Sequence, residues 1–171
     1  MIKNPKEKIF ELFDGPTLSQ LATIDCTGRP WVRYVMSTID RDMILRVPTG
    51  RTTRKVRDIR EHPSVHLLVG KNLFTRNGAY AQIEGHAVVT ADPLSRSRQW
   101  NRSMERYFEG PADPNYVLIE IRPFRMEYWS AMEEENPAIV EACDLVCDPD
   151  DSHNSDEYWV SEGRTAPVYA L

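Results

Sequence analysis

The residues most able to do chemistry sit in one short run, Thr52-Thr53-Arg54-Lys55, directly after Gly50 and Arg51. Val56 and Ile59, three apart among charged residues, read as one face of a short helix over 51–60, with Thr52 or Thr53 at its start and Pro63 stopping it. Backbone N–H groups, the positive end of the helix dipole, two hydroxyls and two cations converge at such a start. Each oxygen of a phosphate monoester could then receive its own donor. On spacing alone the alternative stays open that the threonines cap the helix and the cations face water. A second unusual feature is Arg33 in the run Arg33-Tyr34-Val35-Met36. A strand puts Arg33 and Val35 on one face and Tyr34 and Met36 on the other. An arginine on a barrel-forming strand is costly unless its head reaches water or an anion. Trp129 reads by default as a core aromatic, and His62, His66 and His86 are single histidines read as structural.

These residues need elements to hold them. Ile9, Phe10, Leu12 and Phe13 give an amphipathic helix over Lys6–Phe13, ended by Asp14-Gly15-Pro16. Strands are expected over Leu18–Ile24, Pro30–Ile39 and Met43–Val47, joined by polar turns at Asp25–Gly28 and Asp40–Asp42. After the helix that carries Arg54 come strands over Ser64–Gly70 and Ala79–Thr90, with a loop over Lys71–Gly78 and Gly85 as a bend or bulge. Asp92-Pro93 opens a helix to about Met104, and Tyr116–Met126 is a sixth strand that Tyr128-Trp129 extends past a kink. The expected fold is mainly β (α+β): a six-stranded antiparallel β-barrel with short flanking helices.

Composition narrows the function classes. A chain of 171 residues, 41% hydrophobic and 27% charged, is ordinary globular material. It can bury about 70% of its unfolded surface without disulfides or metal. No 18-residue apolar run exists, and the three lysines before residue 9 have no apolar stretch behind them, so neither a membrane span nor a signal peptide is expected. Three cysteines read as reduced thiols in a cytoplasmic protein; Cys143 and Cys147 lack two further ligands for a metal. Charge is uneven: residues 29–106 hold 15 Lys and Arg against 7 Asp and Glu, and residues 107–171 hold 3 against 15. The basic middle asks for an anion or an acidic surface, but the chain as a whole carries −5, which argues against nucleic acid. The alternation Asp148, Asp150, Ser152, Asn154, Asp156 resembles a calcium loop, yet His153 replaces the required Gly and Trp159 the required Glu. A Gly-rich dinucleotide fingerprint and a Walker loop are both absent.

Arg33-Tyr34-Val35-Met36, Pro48-Thr49, Thr53-Arg54-Lys55, the succeeding Val56, Ile59, Pro63 and Val65, and the ending Glu127-Tyr128-Trp129 together resemble the pyridoxamine 5'-phosphate oxidase-like FMN-binding split barrels, in particular their general stress protein branch. The resemblance spans about Leu18 to Trp129 and implies a homodimer with FMN at the subunit interface. By matching position, Arg33 to Met36 border the isoalloxazine, Pro48 and Thr49 lie by the ring system and ribityl chain, and Thr53, Arg54 and Lys55 hold the phosphate. Trp129 closes the site, from its own or the other subunit. The family's strand glutamine aligns near Tyr80, and Gln82, on the same strand face, stands in for it. The chain lacks the C-terminal Arg-Leu-x-Pro-type substrate motif, so vitamin-salvage activity is not expected. The resemblance thus implies a split-barrel domain over 1–130 with an acidic extension over 131–171, and an FMN-dependent oxidoreductase of unknown small-molecule substrate. A non-catalytic flavin, deazaflavin or haem binder, or a stress-response protein, is the alternative.

Overall fold

The computed structural model describes residues 4–71, 78–134 and 136–141. The chain runs α1 (Pro5–Phe10), β1 (Thr17–Ile24), β2 (Pro30–Ile39), β3 (Leu45–Gly50), α2 (Arg54–Glu61), β4 (Ser64–Lys71), β5 (Ala79–Thr90), α3 (Pro93–Gln99), a 3-10 turn (Arg102–Arg106), β6 (Tyr116–Ser130) and β7 (Ala138–Glu141). Strand order is β3-β2-β1-β4-β5-β6-β7, and β3 also pairs with β6, which closes the first six strands into an antiparallel barrel. Closure leaves those strands without long free edges. Alternation decides what the barrel holds: Leu21, Val35, Val47, Leu67, Ile83 and Ile121 point inward and are buried. Each such side chain contributes about 1.5–3 kcal/mol on burial. Ile9 of α1, wholly buried, and Ile59 of α2 join the barrel's core cluster, and Val56 of α2 is buried as well.

The expected elements recur with local differences. The first helix ends at Phe10, and Leu12 and Phe13 continue as a turn. The third strand starts at Leu45, not Met43. Met43 lies in the left-handed region (φ 60) inside a turn in which Asp40 Oδ1 accepts the Ile44 N–H at 2.9 Å, and its buried side chain compensates for that backbone. The expected helix from Asp92 to Met104 breaks at Trp100, which is extended (ψ 134), and Asn101 caps the 3-10 turn beyond it. β6 runs unbroken to Ser130, with the register against β5 shifting between Glu84 and Gly85. At Gly85 a Cβ would stand 2.7 Å from the Arg122 carbonyl oxygen, so only glycine lets the two strands approach there. The seventh strand, with Val140 buried against the core, carried too short an apolar run to be read from sequence. Most of the expected 71–78 loop, both Cys143 and Cys147, and the calcium-like alternation lie outside the described residues.

Candidate functional site

The chain leaves β3 at Gly50 and enters α2 through Thr53, the N-cap residue. Thr53 does not cap with its side chain. Its Oγ1 donates back to the Gly50 carbonyl at 2.9 Å and lies 3.4 Å from Oγ1 of the buried Thr49. The N–H groups of Arg54 and Lys55 therefore have no acceptor among the described residues, and the dipole's positive end stays open.

Three cations gather around that opening. Arg33 reaches inward from β2, and its Nη1 donates to Thr23 Oγ1 at 2.7 Å and to the Leu21 carbonyl at 3.2 Å. Its Nη2 lies 3.5 Å from Oδ2 of Asp58, a carboxylate only 1% exposed that also accepts from Thr23 at 2.9 Å. Burial pulls the guanidinium below its ordinary range, opposed by Asp58 and reinforced by Arg54. Lys55 is half-buried; burial first, and then the neighbouring Arg33, pull its ammonium below the ordinary lysine range. Arg54 lies with its guanidinium carbon 3.7 Å from the centroid of the Trp31 ring. Among the described residues, Asp58 is the one carboxylate that pairs with any of these three cations. The cluster therefore keeps excess positive charge at a helix N-terminus, a setting that attracts an anion.

A groove of about 970 Å³ runs away from this charge. One wall comes from Tyr34, Val35 and Met36 of β2 and from Pro48, Thr49 and Gly50 of β3, with Thr53 and Lys55 at the charged end. The opposite wall is the 98–108 segment, which contributes Arg98, Gln99, Trp100, Tyr107 and Phe108. Tyr116 anchors that wall: Trp100 meets its ring edge-on at 5.5 Å and Phe108 lies 5.1 Å from it. Burial pushes the Tyr116 phenol up to about 12, and its O–H reaches the Arg96 carbonyl at 3.4 Å. Arg96 in turn ties down the adjoining loop, donating from Nη2 to the carbonyls of Pro111 (2.5 Å) and Asp113 (2.7 Å). Thr38 Oγ1 bonds Gln99 Oε1 at 2.8 Å, stitching the second wall to β2.

Among the residues expected at the site, Tyr34, Val35, Met36, Pro48, Thr49, Thr53 and Lys55 line one continuous groove. Arg33 lies behind it, on Asp58, and Arg54 beside it, on Trp31. Gln82 and Trp129 lie elsewhere in this chain. Gln82 pairs with Leu68, Leu68 with Gln20 and Gln20 with Tyr34, so Gln82 shares the barrel's outer face with Tyr34 but sits about 14 Å away at one strand spacing per step. Trp129, opposite Tyr80 on that same outer face, stacks on it at 5.3 Å. Sequence reasoning missed the 98–108 wall and Trp31. The first carries a signal in the aromatic spacing Trp100, Tyr107, Phe108; the second carries none. Among the described residues no group of three His, Cys, Asp or Glu could hold a metal, and no helix is long and apolar enough to cross a membrane.

Known proteins share this architecture. The family model described as Pyridoxamine 5'-phosphate oxidase matches residues 5–130. General stress protein 26 of Bacillus subtilis (strain 168) is 30% identical over 129 residues, 75% of this chain and 91% of the relative. The crystal structure of General Stress Protein 26 from Bacillus anthracis str. Sterne superposes with a TM-score of 0.68 at 32% identity, covering 80% of this chain and 97% of that one. A protein related to general stress protein 26 from Clostridium acetobutylicum, 17% identical, shares the fold with a TM-score of 0.67 over 82% of this chain and 96% of its own.

Proposed function

This chain belongs to the pyridoxamine 5'-phosphate oxidase family, and on that premise we propose that it is a cytoplasmic, homodimeric FMN-binding oxidoreductase acting on a small molecule. One observation carries the reading: a largely apolar groove ends where the open N-terminus of α2, Thr49, Thr53 and Lys55 meet, with Arg33 and Arg54 adjacent. A flavin nucleotide has that same division, an apolar ring system at one end and a dianionic phosphate at the other. Thr53, Arg54 and Lys55 hold the phosphate in this reading, each charged hydrogen bond being worth about 1.5–3 kcal/mol. Tyr34, Val35, Met36, Pro48 and Thr49 border the ring and ribityl chain, and Trp100 and Phe108 exclude water from the other side. When bound, the flavin supplies the hydride chemistry, and the protein supplies position and electrostatics. The outer face beside the groove exposes Leu18, Val32, Tyr34 and Met36, a patch suited to a second copy. Gln82 and Trp129, on the same face, join the site from the partner in this arrangement.

A second reading rests on the groove's lining, which among the described residues contains no Asp, Glu, His or Cys. With Lys55 given over to the phosphate, the lining offers no carboxylate, imidazole or thiol for proton transfer, and the same fold can serve as a flavin-binding carrier or sensor. The test is direct. Purified protein is expected to be yellow, to release flavin on heating, and to bind FMN at least tenfold more weakly when Arg54 and Lys55 are both changed to Ala. Colourless protein that cannot be reconstituted with FMN overturns the proposal, and mass spectrometry of any copurified ligand identifies a deazaflavin or haem instead. Turnover with nicotinamide cofactors and common acceptors separates the enzyme from the binder.

A further inference from the structure

We propose that Trp31, held in place by Asp25, is a positioning residue that keeps Arg54 beside the phosphate end of the groove. Asp25 sits at the start of the β1–β2 turn and spends one oxygen on building it. Oδ1 accepts the Thr27 N–H at 2.8 Å, the Thr27 hydroxyl at 2.6 Å and the Arg29 N–H at 3.1 Å. Oδ2 is left to accept the indole N–H of Trp31 at 2.8 Å. These bonds hold the Asp25 carboxyl well below the usual carboxylate range, so the acceptor stays ionised. A ring 39% exposed would otherwise sample several rotamers. Here one edge is tethered, and its face receives the Arg54 guanidinium at 3.7 Å. Donating the indole N–H to an anion also makes the ring more electron-rich, which strengthens its attraction for a cation.

Arg54 needs such a hold. It shares its corner with Arg33 and Lys55, and the nearby carboxylate, Asp58, is taken by Arg33. A free arginine side chain there would gain rotamer entropy and relieve repulsion by swinging away from the other two cations. The Trp31 face opposes both tendencies without neutralising the charge. A carboxylate partner would fix Arg54 equally well but would cancel the field that attracts a phosphate. This inference rests on the proposal that a flavin phosphate binds at α2.

The experiment is titration of FMN and of riboflavin, which lacks the phosphate, against wild type, Trp31→Ala, Trp31→Phe, Asp25→Ala, Arg54→Ala, the Trp31→Ala/Arg54→Ala pair and the Arg54→Ala/Lys55→Ala pair. Loss of a cation–π contact predicts FMN affinity about three- to tenfold lower in Trp31→Ala, with a smaller loss in Asp25→Ala. Riboflavin affinity is expected to stay within about twofold, Trp31→Phe to retain most FMN affinity, and Trp31→Ala to add nothing once Arg54 is gone. Equal losses for FMN and riboflavin, or a full further loss in the Trp31/Arg54 pair, overturn the inference, because Trp31 then supports the fold instead of Arg54. If Trp31→Ala binds FMN like wild type while the Arg54/Lys55 pair is weakened tenfold, the inference fails and the phosphate site stands. If wild type does not bind FMN, or the Arg54/Lys55 pair binds it unchanged, the phosphate site fails and this inference with it.

Discussion

Lys55 is the residue whose charge state most directly links the site to pH. Burial and Arg33 both favour its neutral form, so in the free protein it gives up its proton below the ordinary lysine range. A bound phosphate dianion favours the ammonium, so binding raises the pKa and, at alkaline pH, takes up a proton. Affinity must then fall as pH rises through the free protein's Lys55 titration. Below about pH 6 it falls for a different reason, as the phosphate itself gains its second proton. FMN affinity is therefore expected to be flat near neutrality and to weaken toward alkaline pH, and Lys55→Met is expected to bind less tightly overall and to lose the alkaline decline. Titrations by fluorescence quenching between about pH 6 and 10 check this, bracketing the phosphate and lysine ionisations; an unchanged alkaline slope in the variant would show that another group titrates. Arg33 cannot take this role, since its guanidinium stays protonated even where burial lowers its pKa.

Among the elements, β5 and β6 carry the most demanding contact. Their ladder extends from Ala79–Ser130 to Thr90–Leu118, interrupted by the register shift at Glu84/Gly85. The shift lets one strand serve two partners: the first part of β6 closes the barrel on β3, and the later part pairs with β7. Gly85 makes that bend possible, and an added methyl would meet backbone at 2.7 Å and the Ile121 side chain at 2.8 Å. Gly85→Ala should lower unfolding free energy by about 1–3 kcal/mol, read as a lower urea midpoint with unchanged slope. A midpoint equal to wild type would mean that the strands can separate at no cost. The break after α3 matters in the same way. An uninterrupted helix to Met104 would point Trp100 and Phe108 differently, whereas the extended Trp100 and the Asn101 cap turn the segment along the groove.

Across the whole molecule, the exposed outer face is the feature least suited to an isolated chain. Val32 is 64% exposed and Tyr34 69%, on a strand whose other face buries Val35 and Ser37. A contiguous apolar patch on a sheet is more commonly a partner surface than open protein surface. Light scattering is expected to give twice the chain mass, and Val32→Asp, which puts a charge at one end of the patch beside Tyr34, to give a monomer with weaker flavin binding. A wild-type monomer at micromolar concentration would remove the partner copy's contribution of Gln82 and Trp129 from the site and leave the single groove to bind alone.

The elements and the cationic start of α2 were legible in the sequence because both are local. Alternation in Leu18–Ile24 and Ala79–Thr90, the glycine turn after Asp25, and the run Thr53-Arg54-Lys55 at a helix start each depend on residues a few positions apart. Side-chain geometry within one element is set by the backbone period, which the sequence displays directly. What the tertiary structure decided is everything that depends on register between distant segments. The pairing of β3 with β6 closes the barrel, Asp58 meets Arg33 across 25 positions, and Trp31 carries Arg54 across 23. Gln82 and Trp129 were placed with the flavin residues by resemblance, yet two intervening strands separate Gln82 from Tyr34 in one chain. A one-residue slip in any of those ladders would send the same side chains to the opposite face, so the alternation restricts register, but no local pattern records which distant strands pair.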